Sequence, residues 1–127
     1  MAGASHSSEA RARAPVRAGA AAEALAERYL AGRGLAILDR NFRCRGGEID
    51  IVARDGATLV FVEVRLRRSA AYGGAAASVN PAKQRRLLHA ARVYLAARGE
   101  TAARCDVVVL DALDPARIEW IRDAFGE

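Results

Sequence analysis

Carboxylates fall in this chain where a buried strand would not ordinarily carry them. Glu48 and Asp50 lie in Gly46-Gly47-Glu48-Ile49-Asp50-Ile51-Val52, and Glu63 lies with Arg65 in Val60-Phe61-Val62-Glu63-Val64-Arg65. An isolated charge taken out of water is costly unless it is paired or bound to a metal, so acids in such runs need a partner. Alternation along a strand puts Glu48 on the face of Asp50, and Glu63 on the face of Arg65. Asp55-Gly56 between the runs is a hairpin signal, and folding back around it brings Asp50 and Glu63 toward each other on neighbouring strands. Two oxygen-rich side chains converging beside a fixed cation make a hard-ligand site of the size that suits Mg²⁺. A purely structural Glu63–Arg65 ion pair fits the same residues.

The elements that must position these groups are legible from spacing. Ala22, Leu25, Ala26, Tyr29 and Leu30 recur at helical intervals, which predicts a helix over about 19–33 that Gly32 and Gly34 end. Glu23 falls about 20° beyond Leu30 on the helical wheel, at the margin of the apolar stripe, where it can either reach inward or stay solvated. A short strand is expected over 35–42, a second over 48–54 and a third over 58–66. Val60, Val62, Val64 and Leu66 alternate with Leu59 and Phe61, so both faces of the third strand are covered and it is central. Asn80-Pro81 starts a second helix, with Leu87, Leu88, Ala91, Tyr94 and Leu95 as its apolar stripe and Gly99 as its stop. Arg104–Leu110 reads as a buried fourth strand, parallel to the third after a right-handed crossover. Asp106 on it can hold an arginine or support the site from behind, and 118–121 reads as a short edge strand.

At 127 residues the chain is one domain by size, and its apolar runs are far shorter than a membrane span requires. The formal net charge of +5 favours anionic partners. Residues 1–18 hold almost no large apolar side chain and are expected to be a disordered basic tail, without the apolar core of a secretory signal. Cys44 and Cys105 lack metal or disulfide spacing and read as reduced thiols in a cytoplasmic protein. Arg45, with Arg40 and Arg43, crowds the turn into Gly46-Gly47, and Arg67 and Arg68 open a glycine-rich loop containing Tyr72. Either set is a phosphate-facing rim or an ordinary solvated loop.

The order Asp, turn, Glu-x-basic, preceded by a helix bearing a Glu, resembles the PD-(D/E)XK nuclease superfamily. More closely, Asn41 to Arg45, Gly46 to Asp50, Val60 to Arg67, the glycine-rich loop, Lys83 and Arg104-Cys105-Asp106-Val107-Val108 resemble the bacterial YraN family, over roughly residues 19–125. The resemblance implies an α/β, restriction-endonuclease-like three-layer fold, a central mixed sheet flanked by helices, with 19–127 as the nuclease-like domain. It implies a Mg²⁺ or Mn²⁺ site held by Asp50, Glu63 and Glu23, with Arg65 beside the scissile phosphate and Lys83 as a phosphate contact. The superfamily more often has Lys where Arg65 stands. Arginine effectively never loses its proton, so Arg65 stabilises charge and is not a general base, and water activation falls to the metal. The implied activity is hydrolysis of DNA, including structured DNA of the kind Holliday junction resolvases cut, which would call for a homodimer. Two other readings stand beside it: a nucleic-acid-binding protein without hydrolysis, and an accessory partner-binding domain whose acids are structural.

Overall fold

The helical spacing around Leu30 and the β-alternation around Val62 become the two halves of one core. The computed structural model describes residues 16–17, 19–67, 79–99 and 101–126. The loop 68–78, with Arg68, Tyr72, Gly73 and Gly74, lies outside the described residues, as does the basic tail apart from Val16 and Arg17. The elements run β1 (Val16–Arg17), α1 (Ala20–Gly32), β2 (Ala36–Cys44), β3 (Gly47–Asp55), β4 (Thr58–Arg67), α2 (Pro81–Arg98), β5 (Ala103–Asp111) and β6 (Ile118–Phe125). A 3₁₀ turn, Pro115–Arg117, leads into β6.

The sheet order is β2-β3-β4-β5-β6, with β1 also pairing to β4. Among the described residues only β4 and β5 pair in parallel and the other pairs are antiparallel, so the sheet is mixed. Ala22, Ala26 and Leu30 of α1 pack on Val60, Val62, Val64, Val108 and Leu110 on one face. Leu87, Ala90, Ala91 and Tyr94 of α2 pack on Leu59, Phe61 and Cys105 on the other. The outcome is a three-layer α/β domain with β4 central, consistent with a restriction-endonuclease-like fold. No helix among the described residues is long and apolar enough to cross a membrane.

Asn80 caps α2 as its sequence signal predicts, its side chain accepting from the Lys83 backbone N–H at 2.9 Å with Pro81 in the first turn. Asn80→Ala is expected to cost about 1 kcal/mol, read as a lower urea midpoint at unchanged m-value.

The strands depart from the expected pattern at two points. The β3–β4 ladder runs from Asp55↔Thr58 only as far as Ile51↔Val62. Beyond that point β4 pairs instead with β1, through Leu66↔Val16 and Arg65↔Arg17. Val16 and Arg17, inside the stretch expected to be a disordered tail, lie against β4 where β3 has left it, and the backbone groups exposed there are ones a passing strand can satisfy. The second departure is at Asp50 itself. Ile51 and Ala53 join the core under α1, whereas Ile49 and Val52 join the core under α2, so the alternation of β3 slips a step at Asp50.

Candidate functional site

Where β3 leaves β4, the Asp50 side chain takes over from the backbone. Its Oδ2 accepts from the Val64 N–H at 2.8 Å, supplying the acceptor that the next rung of the ladder would have provided. The side chain is thereby fixed in the notch between the strands rather than on a free face. Asp50, Glu63 and Arg65 are 5 %, 9 % and 4 % exposed, so none of them is solvated as a lone charge.

Arg65 donates through Nη1 to Glu63 Oε2 at 3.4 Å. Its Nε is buried with no hydrogen-bond partner among the described residues. Glu63 carries the strongest electrostatic signature of the site. Burial, and after it the Asp50 carboxylate, push its carboxyl up to about 7, against the smaller opposing pull of Arg65 and Lys83. Two acids desolvated in each other's field are what raises such a value.

The approach to Glu63 from solvent is a recess of about 10 Å³ lined by Glu48, Glu63, Lys83 and Arg86. Lys83, expected as a phosphate contact, thus stands beside the carboxylates on the first turn of α2, and Arg86 stands one turn on. Glu48, 3.9 Å from Arg43 Nε, completes the lining. The sequence reading missed Arg86 and left Glu48 out of the site. Glu48 was visible in the same motif, while Arg86 is one cation in a basic run that only the phase of α2 against the sheet singles out.

Other expected residues are placed elsewhere. Glu23 is buried as an inward-reaching acid should be, but its Oε1 lies 3.4 Å from Arg40 Nη2, and Arg40 Nη1 reaches Glu27 Oε1 at 3.2 Å. Arg40 thus clamps β2 to α1. The charges that act most on Glu63 are those of Asp50, Arg65 and Lys83. Among the described residues no group of three or more His, Cys, Asp and Glu side chains is arranged to hold a metal. Arg67 is engaged by Asp111 at 3.1 Å and 3.5 Å across the parallel β4–β5 pair, and it holds the Asp111 carboxyl below the usual range. Arg67, expected as a phosphate contact, is thus placed beside Asp111 at the β4–β5 end of the sheet. Arg45 is exposed in the β2–β3 turn, and Arg68 lies outside the described residues. Asp106 does hold an arginine, Arg104, but it also ties in β6 and is not among the residues lining the recess.

The raised Glu63 pKa has a consequence for stability. Below about 4.5 the carboxyl is protonated in both folded and unfolded chains; between 4.5 and 7 the unfolded chain ionises it and the folded chain does not. Stability contributed by the neutral form is therefore complete at low pH and is lost as the pH rises through about 7. The expected loss is on the order of 3 kcal/mol. Urea midpoints between pH 4.5 and 8 should fall in the native chain and fall far less in Glu63→Gln.

Comparison with known proteins places this geometry in a family. A model described as "Uncharacterised protein family UPF0102" matches residues 22–110, a span that contains every residue of the site. A UPF0102 protein of Ralstonia nicotianae is 61 % identical over 114 residues, covering 85 % of this chain and 85 % of the relative. One from Methylobacillus flagellatus is 52 % identical over 105 residues, covering 83 % and 93 %. The UPF0102 protein YraN of Salmonella newport is 52 % identical over 113 residues, covering 87 % and 86 %. With a match across the notch, the flanking helices and the parallel strand pair, the chain belongs to the UPF0102 family, the family of YraN.

Proposed function

We propose that this protein is a divalent-metal-dependent endonuclease acting on DNA in the cytoplasm. The observation that carries the reading is the Asp50–Glu63 pair: two buried carboxylates, one fixed by a backbone N–H and the other pushed up to about 7 by burial and by the first. A cation relieves that conflict directly. The donor set suits Mg²⁺ or Mn²⁺, which are commonly held by one or two carboxylates with water and substrate oxygens completing the shell. Asp50 and Glu63 are the proposed ligands, and Glu23, committed to Arg40, is the weakest member of the set implied by the resemblance. When bound, the ion supplies an activated water and charge that stabilises the phosphoryl oxygens.

The chain's own residues do the rest. Asp50, held by Val64, gives the site a fixed carboxylate that needs no reorganisation on binding. Arg65, buried and unable to lose its proton, presents permanent positive charge to the phosphate at the stage when negative charge builds on its oxygens. Lys83 draws the backbone toward the recess. In the net step a water oxygen attacks phosphorus and gives up one proton to solvent, the ester P–O bond breaks, and the leaving oxygen takes a proton from solvent. If the substrate is a four-way junction, two such sites are needed and a homodimer supplies them.

One observation favours a second reading, nucleic-acid binding without hydrolysis: Glu63 already has a cationic partner in Arg65 at 3.4 Å. Calorimetry with Mg²⁺ and Mn²⁺, run beside cleavage of labelled single-stranded, duplex and junction DNA, separates them. Metal binding with cleavage of any of these supports the endonuclease. DNA binding without metal uptake or cleavage supports the second reading and sinks the first.

A further inference from the structure

The β2–β3 turn is fastened to α2. His89 Nε2 lies 2.9 Å from the Arg45 carbonyl oxygen, and since a carbonyl only accepts, the imidazole donates. Gly46 has φ of +84° and packs against the same ring, where a Cβ would sit 3.5 Å from His89 Cδ2. At Gly47 a Cβ would run into the Arg86 carbonyl oxygen, so the two backbones meet at a distance only glycine allows. This fastening brings cations of two elements near one another. Arg43, whose side chain is 67 % exposed, ends β2 and Arg45 is exposed in the turn, while Lys83 and Arg86 come from successive turns of α2. Lys83 and Arg86 line the recess over Glu63 together with Glu48, and Arg43 Nε lies 3.9 Å from that Glu48.

We propose that Arg43, Arg45, Lys83 and Arg86 form one rigid phosphate-gripping rim that seats a DNA backbone over the carboxylates, with His89 and Gly47 as positioning residues that lock its two halves together. The proposal rests on the DNA reading above and specifies its docking face. The occupant follows from charge and shape: a row of guanidinium and ammonium groups around a narrow opening fits an extended polyanion, and arginine suits phosphate geometry. It also replaces the β4 end of the sheet, where Arg67 is held by Asp111, as the face that meets the backbone. Pre-set geometry matters because a turn free to move would have to be ordered on binding.

The test is binding of a labelled 30-base-pair duplex over a range of salt, in Ca²⁺ to hold back cleavage, with a cleavage assay in Mg²⁺ alongside. Arg45→Ala and Arg86→Ala should each weaken binding several-fold and reduce the slope of log affinity against log salt by about 1. Arg54→Ala and Arg122→Ala, exposed cations elsewhere on the domain, should leave the slope unchanged. His89→Ala should reproduce the Arg45→Ala loss and add little to it in the double variant, since both act through the position of one turn. His89→Gln, which keeps a side-chain N–H donor, should recover part of the loss. Equal slope changes at Arg54 and Arg45 overturn the rim in favour of bulk charge, and full additivity of His89→Ala with Arg45→Ala overturns the lock. If the native chain binds duplex and cleaves it while the Arg45 and Arg86 variants match it, this inference fails and the endonuclease reading survives. A native chain that binds no DNA at low salt overturns both.

Discussion

Asp50→Asn is expected to reduce metal-dependent DNA cleavage by at least about 100-fold, roughly 3 kcal/mol of transition-state stabilisation, while leaving the fold intact. The asparagine keeps a side-chain oxygen, so it can still accept from the Val64 N–H as Asp50 Oδ2 does at 2.8 Å. What it removes is charge. Metal affinity should fall with activity, and the Glu63 carboxyl, released from the field of Asp50, should move down from about 7. Asp50→Ala differs in kind, because it strands a buried N–H and adds a stability loss of about 1–3 kcal/mol to the loss of function. Calorimetric titration of Mg²⁺ into the native chain and the Asn variant, with cleavage and thermal melts on the same preparations, gives all three quantities. Undiminished metal uptake by Asp50→Asn would remove Asp50 from the ligand set.

The largest expected effect on stability lies away from that notch, at Asp106. This carboxylate is completely buried and accepts from Arg104 Nε at 3.0 Å and 3.2 Å, from Trp120 Nε1 at 2.9 Å and from the Asp123 N–H at 2.8 Å. It joins β5 to β6, and Arg104 carries the connection on to Asp55 at 3.1 Å. Removing one member of such a network leaves a poorly solvated cation and two stranded donors. Asp106→Ala is expected to cost about 3–5 kcal/mol. The corresponding fall in Tm is on the order of 10 °C or more. Metal affinity of the folded Asp106→Asn chain should match the native protein, because Asp106 braces the sheet edge and not the carboxylate notch. A selective loss of metal binding in that variant would restore Asp106 to a supporting role at the site.

The architecture was readable from the chain because local signals agreed with one another. Asn80-Pro81 and Gly99 bracket α2, Asp55-Gly56 makes the β3–β4 turn, and two-sided burial of Val60 to Val64 marks β4 as central. The acids of the notch were readable for a different reason: charge inside a strand is conspicuous. What could not be read was anything fixed by a partner distant in sequence. Arg67 looks like a free cation until the parallel register sets it opposite Asp111, 44 residues on. Arg40 looks like a loop arginine until α1 lies across it. Strict alternation breaks in β3 between Ile49, which packs under α2, and Ile51, which packs under α1, at the residue whose side chain accepts from the β4 backbone. Val16–Arg17 has no pattern of its own, and its pairing exists only because that shift leaves β4 uncovered.

The departure of β3 also bears on how such a protein can change over generations. The acid and the gap are a single backbone event: the strand leaves its neighbour at the residue whose side chain replaces it, and another segment of chain has settled into the space. A descendant that exchanged Asp50 and Glu63 for neutral residues would lose the paired carboxylates in two substitutions but would keep the interrupted ladder, since closing it requires re-pairing β3 with β4 and displacing β1. A relative lacking every carboxylate would still be recognisable by the break in its sheet.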